Sequence, residues 1–237
     1  MDAEAPLPSR GLILLCVSLG ALIFGWLLWR DFSSRRRHRE APVPTINKQP
    51  IASANRTFDP AAPPTDMPPL APGENAECDS NFLSNATVRG DSRQTDATHA
   101  TVTIKQIKVT LELNISIWVP TGVTQHVIEH EEGHRQISEY YYQTADKLAE
   151  RIAATYMGKQ VEITGTDLGA ESSKMLQQMA TEITDEYNRE INPGPTQLLY
   201  DAITDHGRNE VVVKDAVTHA LKNIAIESTQ PRTNPQN

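Results

Sequence analysis

The sequence predicts an α+β fold, in which a small β-sheet and a helix carrying an H-E-x-x-H pattern pack with further helices, behind an N-terminal transmembrane helix. Three observations predict it. Residues 101–119 alternate apolar with polar, the period of a half-buried strand. Residues 124–157 carry apolar side chains at every third or fourth position, the period of an amphipathic helix. Residues 11–29 contain no charge and are long enough to cross the hydrocarbon of a bilayer.

The apolar run is bounded by Arg10 and Arg30 and follows a short tail, 1–10. A cleaved signal peptide would show a shorter apolar region and a small-residue cleavage site, whereas here Trp26, Leu27, Leu28 and Trp29 lead straight into Arg30. An uncleaved anchor with tryptophans at the interface is therefore expected, giving a single-pass protein of a bacterial inner membrane. Arg35, Arg36, Arg37 and Arg39 follow at once, and the positive-inside rule then puts the C-terminal part in the cytoplasm. A basic patch touching anionic lipid is the other reading of the same residues. Residues 30–75 read as a basic, then Pro-rich linker, with Pro63-Pro64 and Pro68-Pro69 in an extended tether. The domain proper is expected over 76–227, and a disordered tail over 228–237.

A net charge of -8 over 237 residues argues against nucleic acid as a partner. Cys16 lies in the apolar run and Cys78 stands alone, so no disulfide framework is implied.

In the alternating segment Ile107, Val109, Leu111, Leu113, Ile115, Ile117 and Val119 share one face, and Val102 and Ile104 are out of phase with them. A bulge or turn near Lys105-Gln106 would account for the slip, and a bend near Asn114 would divide the run into two strands. The helix follows after a short loop. Val127, His130, His134, Ile137, Tyr141, Ala145, Leu148 and Ile152 form its stripe; Thr121 and Thr124 are candidate caps, and Gly158 with Lys159 a stop. Gly133 costs such a helix about 1 kcal/mol relative to Ala. It is either a weak point or a place where something must approach closely. Further on, 160–164 reads as a short strand. Met175, Met179, Ile183, Tyr187 and Ile191 trace a second helix from about 170, which Asn192-Pro193-Gly194-Pro195 ends, and Val213, Val217, Leu221 and Ile224 trace a third.

The chemistry is concentrated at His130-Glu131-Glu132-Gly133-His134. Residues four apart sit one above the other on a helix, so His130 and His134 can hold one Zn²⁺ while Glu131 reaches a metal-bound water as general base. This is the spacing of zinc metalloproteases, and a helix bearing it just after a strand is a zincin-like arrangement. Catalytic zinc takes three protein ligands and keeps one position open. Ile137 and Tyr140 stand where the metzincin extension needs Gly and His, which excludes that subclass. The third ligand is then either His206, in a polar turn before Gly207, or a carboxylate of the second helix, Glu182 or Glu186. His126-Val127-Ile128-Glu129-His130 also satisfies the inverted H-x-x-E-H pattern, with His126 as ligand and Glu129 in the base role.

From the strand through His130-Glu131-Glu132-Gly133-His134 to Tyr200-Asp201-Ala202-Ile203-Thr204-Asp205-His206-Gly207, the chain resembles the bacterial family catalogued as domain of unknown function 922, described as predicted secreted zinc-dependent proteases. That family pairs an H-E-x-G-H helix with a later Y-D-x-x-T-x-H-G motif, and the resemblance covers about residues 78–210. It implies a metallopeptidase-like α+β domain, His130, His134 and His206 as ligands, Glu131 as base, Asp201 as a carboxylate orienting an imidazole, and Tyr200 as an oxyanion donor. It also implies a periplasmic address, which the Pro-rich tether favours and the arginines oppose.

The expected function is a membrane-tethered zinc metallohydrolase, a peptidase acting on peptide or protein substrates. The rival is a zincin-like, non-catalytic envelope module for binding or scaffolding. Glu131 favours the enzyme, because a scaffold has no use for that carboxylate.

Overall fold

β4 (His99–Pro120) is the strand on which the sheet is assembled. The structure, a computed structural model, describes residues 43–70 and 73–229, with side chains through 223. β3 (Glu77–Gln94) runs antiparallel along one edge of β4. Three short strands share the other edge in succession: β5 (Gln160–Thr164) antiparallel near its start, then β1 (Thr45–Lys48) and β2 (Ala52–Phe58), both parallel.

The phase slip in β4 is a bulge. Arg89 pairs with Gln106 and Gly90 with Ile104, which leaves Lys105 as the extra residue. It turns Val102 and Ile104 to the same side as Ile107, Val109 and Leu111, and all five are fully buried. The strand remains one element past Asn114.

α1 (Gln125–Gln143), α2 (Ala145–Ala154) and α3 (Leu168–Glu190) cover that buried face. Tyr142, Ile152, Ile183 and Tyr187 pack against Leu111, Leu113 and Ile115, so one sheet face is core and the other solvated. α4 (Gly194–Thr204) and α5 (Val213–Thr229) pack on the far side of α1, where Ile137, Tyr200, Ala216, Val217 and Ala220 make a second apolar cluster. α1 is therefore held from two sides along the segment that carries the motif.

The long helix expected over 124–157 is two. The chain bends at Thr144, whose N–H reaches the Tyr142 carbonyl, and Lys48 Nζ donates to the Gln143 carbonyl at 2.9 Å, satisfying a group the break leaves free. The apolar stripe runs unbroken because both pieces face the same core. Thr124 sits at the N-cap position without a side-chain capping bond. The Thr121 hydroxyl instead donates to the Phe58 carbonyl at 3.1 Å.

The free tether is also corrected. Residues 45–58, expected in the linker, supply β1 and β2. Their pattern did not announce strands because only Phe58 among them is buried, and they are held by backbone pairing to β4 rather than by an apolar face. The Tyr142 hydroxyl, 2.9 Å from both the Gln49 and Leu111 carbonyls, ties this edge to α1.

The membrane-spanning part of the expectation is withdrawn from the fold class, the function, the partners and the address. No helix among the described residues is long and apolar enough to cross a membrane. The run 11–29 and the arginines at 35–39 lie outside the described residues, as do 230–237. What stands is an α+β domain with a small sheet and packed helices.

Candidate metal centre

α1 and α4 build the site between them. On α4, Gln197, Tyr200, Asp201 and Thr204 fall at helical spacings of three and four, so all four face α1. On α1, His130 and His134 face back toward them. Their Nε2 atoms are 3.2 Å apart, and Asp201 Oδ1 lies 2.9 Å from that of His134 and 3.4 Å from that of His130.

The surrounding hydrogen bonds set which atoms carry protons. Gln197 Nε2 donates to the His134 carbonyl at 3.1 Å and to Ser138 Oγ at 3.0 Å, so its Oε1 accepts from His134 Nδ1 at 2.6 Å. The Thr204 hydroxyl gives its proton to the Tyr200 carbonyl at 2.8 Å, which leaves its oxygen to accept from His130 Nδ1 at 3.4 Å. With both Nδ1 atoms protonated, each Nε2 presents a lone pair when its imidazole is neutral and faces Asp201 as a donor when it is charged. Asp201 Oδ1 is buried and meets no donor besides these two rings.

With neutral imidazoles three lone pairs converge on one place, a buried arrangement that calls for a positive charge there, either a metal ion or a proton on an imidazole. Two neutral imidazoles and a carboxylate are a donor set that zinc accepts. His130, His134 and Asp201 therefore have the composition and spacing to coordinate a metal ion.

Without a metal, a proton on the imidazoles supplies that positive charge. Burial would raise the Asp201 carboxyl, but the two imidazoles beside it hold it well below the usual carboxylate range. Burial would lower the His134 imidazole, and Asp201 with Gln197 more than offset that and move it upward. Glu131 is 5 % exposed and makes no hydrogen bond or ion pair among the described residues. Burial pushes it up to about 7, opposed by His134 and reinforced by Glu77, Glu74 and Asp201.

Tyr200 is fully buried, stacks on His130 with ring planes 14° apart, and donates its hydroxyl to the His130 carbonyl at 3.1 Å. That proton is engaged, so the oxyanion role expected of Tyr200 is not open to it here; it fixes the first imidazole instead. Gly207, at φ +70, lets the turn after α4 lie on His130, because an added Cβ would sit 2.8 Å from His130 Cγ.

His206 takes a different place from the expected one. Asp205 and His206 are both left-handed, at φ 48 and 53, and His206 Nδ1 lies 3.5 Å from Glu74 Oε1. The ring belongs to a second group, Glu74, Asp201 and His206, which shares Asp201 with the first. Neither group includes the other candidates. Glu182 accepts from Gln178 and Glu186 from the Tyr156 hydroxyl, along α3. His126 lines a separate cavity with Glu129 and Lys214, apart from the one that His130 and His134 line.

Gln197, Thr204, Glu74 and Glu77 were missed. For the first two the signal was present, since Gln197 and Thr204 extend the Tyr200-Asp201 face by one helical turn in each direction. Glu74 and Glu77 come to the site through the start of β3, which no apolar alternation marks.

A cavity of about 410 Å³ opens over the Nε2 atoms, with Glu77, Cys78, Asp79 and Ser80 at the start of β3 along one wall. No protein-family model, no curated protein and no solved structure matches this chain.

Proposed function

We propose that the domain is a zinc-dependent hydrolase of peptides, with His130, His134 and Asp201 as the metal ligands and Glu131 as the general base. The observation that carries this is the convergence of two imidazole Nε2 atoms and the Asp201 carboxylate beside an unpartnered, buried Glu131. The resemblance to the domain-of-unknown-function 922 family, with its H-E-x-G-H and Y-D-x-x-T-x-H-G motifs, belongs to the same reading.

Zinc at those ligands would supply Lewis acidity toward a carbonyl oxygen and toward water. The chain's own groups do the rest. Glu131, buried beside the ligands with no partner of its own, is placed to take a proton and return it to a leaving amine. Gln197 and Thr204 hold the two imidazoles in the ligating tautomer. β3 has a strand partner on one edge only among the described residues, and its first residues line the cavity. An extended peptide could pair with its free edge, with alternate side chains entering the cavity. The scaffold reading leaves a lone buried carboxylate at Glu131 without a use, which is why the hydrolase is preferred.

The test uses the full-length protein, since a fragment starting at Glu74 would lack β1 and β2. Metal analysis should find close to one zinc per chain, and Glu131→Gln should retain it while losing hydrolysis of a peptide library. A folded protein that binds no zinc, or a Glu131→Gln variant with unchanged turnover, would overturn the assignment.

A further inference from the structure

The metal ligands and Glu131 use only part of the charge that faces the cavity. Glu74, Glu77 and Asp79 also line it, all from the chain that leads into and begins β3. Among the described residues neither Glu77 nor Asp79 has an ion-pair partner, and Glu74 is met only by His206. Arg208 is the one arginine or lysine on the lining, and its guanidinium is directed to the Gly73 carbonyl at 3.0 Å. A dication would offset Asp201 and Glu131, leaving Glu77 without a cationic partner and Glu74 met only by the His206 imidazole.

Glu77 registers that field. Burial raises its carboxyl and so do Glu74, Asp79 and Asp201, with only His134 opposing. Like-charged groups around one cavity disfavour each other, and a cationic group entering the cavity relieves all of them together. That something enters is indicated separately by Glu131, a residue more than nine-tenths buried that has no hydrogen-bond or ion-pair partner among the described residues and lines the same cavity.

Resting on the hydrolase reading above, we infer that the site selects peptides carrying a lysine or arginine side chain beside the reacting bond, with Glu77 and Glu74 receiving the cation. These are specificity residues. They touch the substrate's side chain and not the reacting carbonyl, so they act on which peptide is bound more than on how its bond is broken.

Binding can be separated from turnover by using zinc-loaded, full-length Glu131→Gln protein. Two fluorescent decapeptides, identical except for Lys-Ala-Lys or Glu-Ala-Glu at the centre, are titrated at physiological salt. The lysine peptide should bind at least about tenfold more tightly, and the preference should shrink to about twofold or less when Glu74→Gln and Glu77→Gln are added. Equal or reversed affinities, or a preference untouched by the two substitutions, would overturn the inference. Wild-type turnover of the same peptides distinguishes the two proposals. Equal cleavage of both peptides removes the selectivity and leaves the hydrolase, whereas a lysine preference in binding without any cleavage removes the hydrolase and leaves the selectivity.

Discussion

Gly133 and Tyr200 occupy a space that has room for only one side chain. A Cβ on Gly133 would collide with the Tyr200 hydroxyl, and even the Cε1 atom of that ring would be only 3.1 Å away. The glycine in the middle of the motif helix is thus set by the phenol of α4. It brings α4 close enough for Tyr200 to stack on His130 and for Asp201 to reach both imidazoles.

Gly133→Ala should therefore destabilise the fold by roughly 1–3 kcal/mol, the cost of overpacking a site whose neighbour is fully buried. An ordinary helical Gly→Ala change would instead stabilise. Urea unfolding of the metal-free protein reads the sign directly. A variant as stable as wild type would mean that α4 stands further from α1 than described.

Gly207→Ala is expected to act on the metal more than on the fold. It forces a side chain into a left-handed turn and against His130 Cγ, at 2.8 Å. Gly158→Ala is the matched control, since Gly158 has φ +75 with nothing within 4 Å of an added Cβ. The control should lose about 1–2 kcal/mol of stability and no zinc affinity. Gly207→Ala should weaken zinc at least about tenfold in a chelator competition, a loss of the size seen when a ligand's orientation is disturbed.

Asp201 and His206 compete for the third ligand position, and the geometry favours Asp201. Asp201 belongs to both candidate groups and its Oδ1 meets both Nε2 atoms, whereas His206 is grouped with neither His130 nor His134. Asp201→Asn should lower zinc affinity by several orders of magnitude, and His206→Ala by about tenfold or less. The reverse ranking would restore the ligand set that the resemblance implies.

How far the sequence reaches is visible in these same residues. The alternation of β4 and the stripe of α1 were legible because each buries one face, and burial is what imposes a period. The Lys105 bulge was legible as a phase error for the same reason. β1 and β2 were not, because edge strands held by backbone bonds need no apolar residues and Pro-rich surroundings suggest extension. The His130-Glu131-His134 core of the site was legible since a single helix fixes its spacing. Its completion by Asp201 was not, because that depends on how closely α4 packs on α1, which Gly133 permits but does not reveal.

Glu131 gives the last expectation, a dependence of stability on pH in the metal-free protein. Its folded pKa, about 7, lies above its ordinary value of 4.5. The stability it contributes is therefore fully present below about 4.5 and is lost as pH rises through 7, because the folded state must then hold a buried, unpaired charge. Glu131→Gln removes this dependence. The Asp201 shift remains in both proteins, and the His134 shift is retained only in part, because Glu131 is one of the groups that raise it. After treatment with chelator, the variant should match wild type near pH 4 and exceed it by roughly 2–3 kcal/mol at pH 8. With zinc restored the gap should narrow, since a neighbouring dication favours the carboxylate form. Parallel stability profiles for the two metal-free proteins between pH 4 and 8 would show that Glu131 is solvated or paired, and would remove it as a base poised near neutrality.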